Sequence, residues 1–456
     1  MVQHFMRPIC SSVAQKIQLC FFSSQKLNLN TIGLEDFCGC KSSLLKMVSK
    51  LLELLPSLPC TSEAIQISEE ELDKIGNGAF KIFCKARENY IIMLAQVDSP
   101  FPSMAKALSE RCWEELNTSH WAEVPHVWRV LYSYAALFRS TYHLNLYLQS
   151  SHSNVQAVKD ALYYCDMGLI MGKPVLDNLL TKVASCCHQE LTSCIQNTLT
   201  HSASTAAVCD ELASRSDACP PISEPVPRLQ CPSVERFVRE VFGRRPAVLA
   251  GCVSHWPALR WTLTGLERTA GHRTVPVELG GRYTDAGWSQ RLMTLGQFIE
   301  QHVRRPAAGA PPGYLAQYEL FEQIPELGAD VPTPEYCWVG AGDAVHTNIW
   351  LGPAGTVSPL HHDPKHNCLV QVLGRKFVQV FAPEETPRLY PHEAALLHNT
   401  SRVDAERPDL EQFPAFAGAR HQEVELGPGD LLYMPPGWWH YVRSLSVSCS
   451  VSFWFE

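Results

Sequence analysis

The apolar positions of this chain change their period once, near residue 199. From Ser42 they recur at helical spacing. Leu44, Val48, Leu51, Leu52 and Leu55 share one face of a helix that Pro56 stops. Ser68 and Glu71 form a capping box ahead of a second helix through Leu72, Ile75 and Phe83. The same spacing predicts helices near 101–117, 123–149, 154–171 and 174–198, with Gly172 and Pro174 parting the last two. Almost nothing here alternates with period two, so 42–198 reads as an all-α domain of packed helical hairpins. It carries no cluster that suggests catalysis, and docking or scaffolding is its expected role.

Residues 199–226 lose the helical period. Ser, Ala and Thr give way to Cys219-Pro220-Pro221 and Glu224-Pro225-Val226-Pro227, a linker composition. From 227 to 456 the chain becomes rich in Trp, Gly and Pro, with short apolar runs. A helix is expected at Ser233–Val241 and a strand at Ala247–Leu249. Cys368 to Val380 reads as a hairpin turning at Leu373-Gly374-Arg375. Near the end, Ser446, Ser448, Ser450 and Ser452 alternate with Val447, Cys449, Val451 and Phe453, a strand with one polar and one apolar face. Many short strands with Gly/Pro turns indicate a jelly roll or barrel, so the fold class is α+β.

Composition narrows the function. The chain is 46% hydrophobic and 18% charged, which marks it as globular. Its net charge of −8 and lack of a basic cluster argue against direct nucleic-acid binding and suit a basic peptide partner. No apolar run approaches the length of a membrane span. The 18 cysteines show no CxxC pair and no regular spacing, as expected of buried thiols in a reducing compartment. Residues 1–41 form an uncertain, disordered-type start. Its first 34 residues lack Asp and Glu and carry Arg7, Lys16 and Lys26, faintly like a transit peptide.

Candidate chemistry begins at His361-His362-Asp363. In an extended stretch His361 and Asp363 point to one face and His362 to the other. His440, in Pro435-Pro436-Gly437-Trp438-Trp439-His440, supplies a third ligand from a different strand. Two imidazoles and one carboxylate leave open positions on a metal, the mark of non-haem Fe(II) oxygenases. A lone His-x-acid triplet is weak evidence in a chain with 18 histidines, and two more occur. His188-Gln189-Glu190 falls in a helix, where i and i+2 do not share a face. His421-Gln422-Glu423 lacks supporting residues. Lys376 supports the first triplet. It lies on the face of Val378 and Val380, where an inward ammonium calls for an anion such as a dicarboxylate. The bland alternative is a lysine that snorkels to water.

At these residues the chain resembles the JmjC family of Fe(II)- and 2-oxoglutarate-dependent oxygenases, over about 227–456. His361-x-Asp363, Asn367, Lys376 and the Gly437-Trp438-Trp439-His440 segment carry the resemblance. It extends to Cys165-Asp166-Met167-Gly168-Leu169 and Gly313-Tyr314-Leu315-Ala316-Gln317, and not to the first forty or so residues. It implies a double-stranded β-helix of cupin type. It implies Fe(II) on His361, Asp363 and His440, with 2-oxoglutarate as cosubstrate and O2. Tyr314, Ser358 and Lys376 would hold the distal carboxylate of 2-oxoglutarate, with Asn367 near its other end. Trp350 would wall the pocket, and Glu278, Tyr283 and Gln317 would face the substrate side chain. As alternatives, Tyr314 and Trp350 are core aromatics and Glu278 is a solvent-facing strand residue.

The reaction so implied decarboxylates 2-oxoglutarate to succinate and hydroxylates a C–H of a protein substrate. Arginine is the expected target, in ribosomal or chromatin-associated proteins or histone tails. Methyl-lysine demethylation, in chromatin regulation, is the alternative. Histone-tail peptidase activity belongs with it, although no peptidase nucleophile or HExxH site is evident. A non-catalytic cupin-like scaffold is the third reading, opposed by the intact triad and Lys376. The family implies residence in the nucleus and cytoplasm.

Overall fold

A computed structural model describes residue 47 and residues 69–95, 103–118, 124–150, 152–196 and 223–456, apart from 286, 308, 395 and 396. Apart from Met47, the expected helix around Leu44–Leu55, together with the Ser68 cap and the 1–41 segment, lies outside these residues. The chain divides into two compact units, Met1–Ser202 and Ala203–Glu456.

The first unit is helical, as the apolar spacing predicts. Its helices are α1 (Glu69–Ala95), α2 (Ser103–Thr118), α3 (His126–Gln149), α4 (Val155–Met171) and α5 (Leu179–Gln196). Asn154 caps α4 by accepting from Ala157 N at 3.2 Å. Leu137, Leu144, Leu162, Val183 and Leu191 are fully or almost fully buried between α3, α4 and α5. Gly168 lets these helices approach, because a Cβ there would lie 2.7 Å from both Ala136 Cβ and Leu180 Cδ1. That is the physical need for glycine in the Cys165–Leu169 stretch. Glu190, from the first rejected triplet, is buried and accepts from the Tyr147 hydroxyl at 2.6 Å.

The second unit has two facing sheets, the double-stranded arrangement expected. One sheet runs β1 (Ser223–Pro225), β11 (His421–Leu426), β10 (Lys376–Phe381), β13 (Trp439–Ser444), β8 (Val357–His362). The larger sheet takes the order β2 (Arg228–Gln230), β3 (Ala247–Ala250), β12 (Asp430–Met434), β9 (His366–Leu373), β14 (Ser448–Phe455), β7 (His346–Gly352), β6 (Gly313–Tyr318), β4 (Thr274–Leu279), β5 (Ser289–Thr294). Val378, Val380 and Leu426 from one sheet meet Val248 and Leu432 from the other in a shared core. Each fully buried side chain of this kind stabilises the fold by roughly 1.5–3 kcal/mol. Helix α6 (Val234–Glu240), capped by Ser233, buries Phe237 against the outer side of the large sheet.

The structure corrects or sharpens three expectations. The strands around Gly374 exist, but they do not form a hairpin. β9 pairs with β12 and β14, whereas β10 pairs with β11 and β13. The turn bonds instead to the 445–446 corner: Leu445 N donates to Arg375 O, and Arg375 N to Ser446 Oγ. Gly374, at φ +68°, passes so close to Val447 O that a Cβ would lie 1.9 Å from it. Second, β14 has the polar serine face expected, and that face is turned inward. Ser448, Ser450 and Ser452 are all buried. Ser450 donates to Gln371 Oε1 at 2.6 Å, and Trp350 Nε1 donates to Ser452 Oγ at 2.9 Å. Internal hydrogen bonds satisfy this buried polar face. Third, Ser223–Pro225 is not linker. It adds to β11 as a parallel edge strand, and Val226 is buried behind it.

Candidate metal centre

β8 and β13 lie side by side with His361 directly opposite His440. Their rings are 4.2 Å apart, centroid to centroid. Asp363 follows the end of β8, its backbone carbonyl accepting from Gly437 N at 2.9 Å. The Pro435-Pro436-Gly437 turn, with Gly437 at φ +76°, is therefore docked on Asp363 just ahead of the His440 strand. His361 Nε2 faces Asp363 Oδ1 at 4.0 Å, and His440 Nε2 faces Asp363 Oδ2 at 3.6 Å. One donor atom from each of the three residues falls within 4.8 Å of the others.

The protonation pattern suits a cation. His361 Nδ1 lies 2.6 Å from Pro359 O, and His440 Nδ1 lies 3.1 Å from Trp438 O. A carbonyl only accepts, so each ring donates from Nδ1 and turns its Nε2 lone pair inward. Burial, with the neighbouring His361, holds the His440 imidazole neutral down to about pH 4. Asp363 Oδ2 is buried without a hydrogen-bond partner among the described residues. A divalent cation answers all three observations at once. His362 points the other way, as the strand period requires, and packs edge-on against Trp439 at 4.7 Å.

The triad opens into a pocket enclosing about 360 Å3 of empty space, part of it open to solvent. Tyr314, Trp350, Ser358, Asn367 and Lys376 line it, with apolar wall from Leu369, Met434 and Val442. Lys376 is 1% exposed and donates to the Tyr314 hydroxyl at 3.2 Å. Tyr314 also hydrogen-bonds Ser358, and burial raises its phenol pKa. Among the described residues no carboxylate pairs with Lys376, and burial depresses its ammonium to about 7. Asn367 Oδ1 is likewise buried with no partner. A cation, two hydroxyls and an amide thus face a cavity beside the triad, which fits a dicarboxylate.

Of the remaining named residues only Trp350 lines the pocket. Glu278 sits opposite Tyr314 in the β4–β6 register, its carboxyl pKa raised by burial. Its Oε2 accepts from Trp288 Nε1 at 3.2 Å. Tyr283 stands edge-on to His361 at 6.5 Å, and its hydroxyl is 3.1 Å from Thr400 Oγ1. Trp350 lies 6.1 Å from the Tyr314 ring. Glu278, Tyr283 and Gln317 stand outside the residues that line the triad pocket, and Gln317 is the exposed one, at φ +46° in a bulge between Leu315 and Tyr318. Trp288 escaped the sequence reading. Its one signal was an aromatic residue beside Gly287 at the end of a polar loop.

The chain is a JmjC oxygenase: a 2-oxoglutarate-dependent dioxygenase whose cofactor is Fe(II). The sequence profile of the cupin-like domain matches residues 234–456, and that of the KDM8-like N-terminal ARM repeats matches 85–201. Lysine-specific demethylase 8 of Xenopus tropicalis is 40% identical over 401 residues, spanning 78% of this chain and 88% of that protein. Its namesake in Danio rerio is 38% identical over 420 residues, 90% of this chain and all of the other. Lysine-specific demethylase JMJ30 of Arabidopsis thaliana is 36% identical over 383 residues, 78% and 86% of the two chains. Within the JmjC oxygenases, the chain belongs to the lysine-specific demethylase 8 family.

Proposed function

We propose that this oxygenase hydroxylates an arginine carbon in protein substrates. The observation that carries the reading is the half-buried Glu278 carboxylate, opposite the pocket-lining Tyr314 in the β4–β6 register and hydrogen-bonded to Trp288. A guanidinium pairs with a carboxylate through several N–H donors and stacks on an aromatic face, so an acid beside an indole suits it. A methylated ammonium has few N–H groups to offer the same acid.

His361 Nε2, His440 Nε2 and Asp363 would hold Fe(II), and Lys376, Tyr314 and Ser358 the distal carboxylate of 2-oxoglutarate, with Asn367 toward its other end. When bound, iron and 2-oxoglutarate supply oxidative decarboxylation by O2, giving succinate, CO2 and one oxygen atom for a substrate C–H. The protein residues orient and exclude water. Lys376 neutralises the buried carboxylate, and Leu369, Met434 and Val442 keep the pocket apolar. Glu278 and Tyr283 fix the substrate side chain over the open side of the triad.

Demethylation of methyl-lysine is the second reading. The relatives' own names favour it, and Trp350 and Tyr283 would accept a methyl-ammonium. Mass spectrometry of matched arginine and methyl-lysine peptides, incubated with Fe(II), 2-oxoglutarate and ascorbate, separates the two. One added oxygen on arginine supports hydroxylation; methyl loss with formaldehyde and no oxygen gain overturns it. The same proposal has the helical unit dock protein partners and the enzyme reside in nucleus and cytoplasm, to be read by co-purification and by imaging of the tagged chain.

A further inference from the structure

The loop between β4 and β5 carries Tyr283 and Trp288, yet it is held by side chains rather than by a ladder. Arg282 Nη2 donates to Asp404 Oδ2 at 2.6 Å, with both side chains about 30% exposed. The Tyr283 hydroxyl meets Thr400 Oγ1, and Thr400 is 1% exposed. Both anchors belong to one short stretch, 399–406.

That stretch is fastened to both metal strands. His361 bridges to Thr400 across β8. His362 N donates to Asn399 O at 2.9 Å, and Ser401 N donates to Leu360 O at 2.8 Å. Asn399 Nδ2 donates to His362 O at 3.0 Å. On the other side, Glu406 accepts from Arg443 Nε at 2.7 Å and from the Tyr441 hydroxyl at 2.9 Å, both on the His440 strand. Asp404 itself is set by accepting from Glu406 N and Arg407 N. The stretch is thus rigid against the triad, and its free polar face reaches the loop.

We infer that Arg282 and Asp404 are positioning residues: their ion pair latches the Tyr283–Trp288 loop to the metal strands and so sets the distance between the bound substrate side chain and the metal. Neither residue lines the pocket. The inference rests on the reading of Glu278, Tyr283 and Trp288 as the substrate-facing wall. Without the latch the pocket for 2-oxoglutarate is intact while the wall wanders. The expected lesion is therefore weaker peptide binding and wasted 2-oxoglutarate, not lost metal.

The test uses the full chain with Fe(II) and 2-oxoglutarate, and the variants Arg282→Gln, Arg282→Lys, Asp404→Asn and the Gln/Asn double. Arg282→Gln should raise the peptide KM roughly tenfold, the effect of losing one charge-assisted bond, and lower peptide product per succinate. Asp404→Asn should do the same, the double variant should be no worse than either single, and Arg282→Lys should retain most activity. Succinate formed without peptide should match the parent in every variant. Hydrogen exchange of the backbone at 281–288 should quicken in Arg282→Gln and nowhere else in 223–456. Parent-like exchange at 281–288, a parent-like peptide KM, or a double variant showing the product of the two single effects each overturns the latch. The parent's choice between arginine and methyl-lysine peptides tests the substrate reading separately. If the parent chooses methyl-lysine, the latch stands or falls by the same comparison on that peptide, and the exchange result needs no substrate.

Discussion

The two walls of the pocket are built differently. The inner wall, toward the cosubstrate, hangs on strand ladders. His361 and Ser358 are on β8, Lys376 on β10, Asn367 on β9 and His440 on β13, and all four strands are hydrogen-bonded into their sheets. Lys376, Asn367 and His440 are under 5% exposed. The outer wall, toward the proposed substrate, joins Glu278 on strand β4 to a hairpin loop that side-chain links hold at Arg282 and Tyr283. Glu278 and Tyr283 are half-buried and Trp288 is exposed. On the proposed assignment the inner wall would hold the same iron and the same dicarboxylate at every turnover, so rigidity serves it. The outer wall must admit and release a protein segment, so it sits on the element that can move.

The largest expected effect lies on the inner wall. Asp363→Ala removes the only carboxylate of the triad and should abolish succinate formation, a loss well beyond the roughly hundredfold that disturbing a ligand's support produces. The fold should survive, because Asp363 is anchored through its backbone bond to Gly437. Bound iron measured by elemental analysis, with circular dichroism of the same sample, checks both halves. His362→Ala, one residue away, should leave metal content unchanged, since that ring packs on Trp439.

Lys376→Ala follows. It strands a bound carboxylate in a buried site, at roughly 3–5 kcal/mol, and should raise the 2-oxoglutarate KM more than a hundredfold while iron content stays normal. A parent-like KM would mean that another cation answers the dicarboxylate.

The inner wall was also the more legible in the sequence, and the reason is period two. His361 and Asp363 share a face because they are two apart in an extended stretch. Lys376 turns inward because Val378 and Val380 do. What the alternation does not encode is which strand pairs with which. Gly374 reads as a hairpin turn, yet its backbone partners lie at the 445–446 corner, so the chain changes sheets there. Nor does it encode whether a polar face meets water or another polar face, as the buried serines of β14 show. The outer wall was read mainly by resemblance. Gln317 sits at a bulge, where one extra residue breaks the alternation and turns the side chain out. Arg282 meets Asp404 only through a side-chain contact between residues 122 apart, and Trp288 meets Glu278 across the loop, and a local pattern has no signal for either.

On the outer wall the effects should be smaller and confined to peptide. Glu278→Ala removes a charge-assisted partner worth roughly 1.5–3 kcal/mol. It should lower kcat/KM for an arginine peptide about tenfold to a hundredfold and leave succinate formation without peptide near the parent rate. An equal loss in both assays would move Glu278 to the inner wall.

The smallest effect is in pH. Burial holds Lys376 at about 7 before 2-oxoglutarate binds. A carboxylate beside Nζ raises it again, so binding takes up a proton. Affinity should be full below pH 7 and fall as pH rises past 7, by up to about tenfold per unit. Titration of the iron-loaded protein under nitrogen at pH 6.5 and 8.5, two values on roughly either side of that midpoint, reads this directly. Lys376→Met should flatten it.

On the proposed function, one oxygen atom formed at the inner wall goes to an arginine held by the outer wall. Turnover of an arginine peptide under isotopically heavy O2 tests it most directly. The account predicts one heavy oxygen in succinate and one on the arginine residue of the peptide. Heavy succinate with an unlabelled arginine peptide, alongside methyl loss and formaldehyde from the matched methyl-lysine peptide, would contradict it.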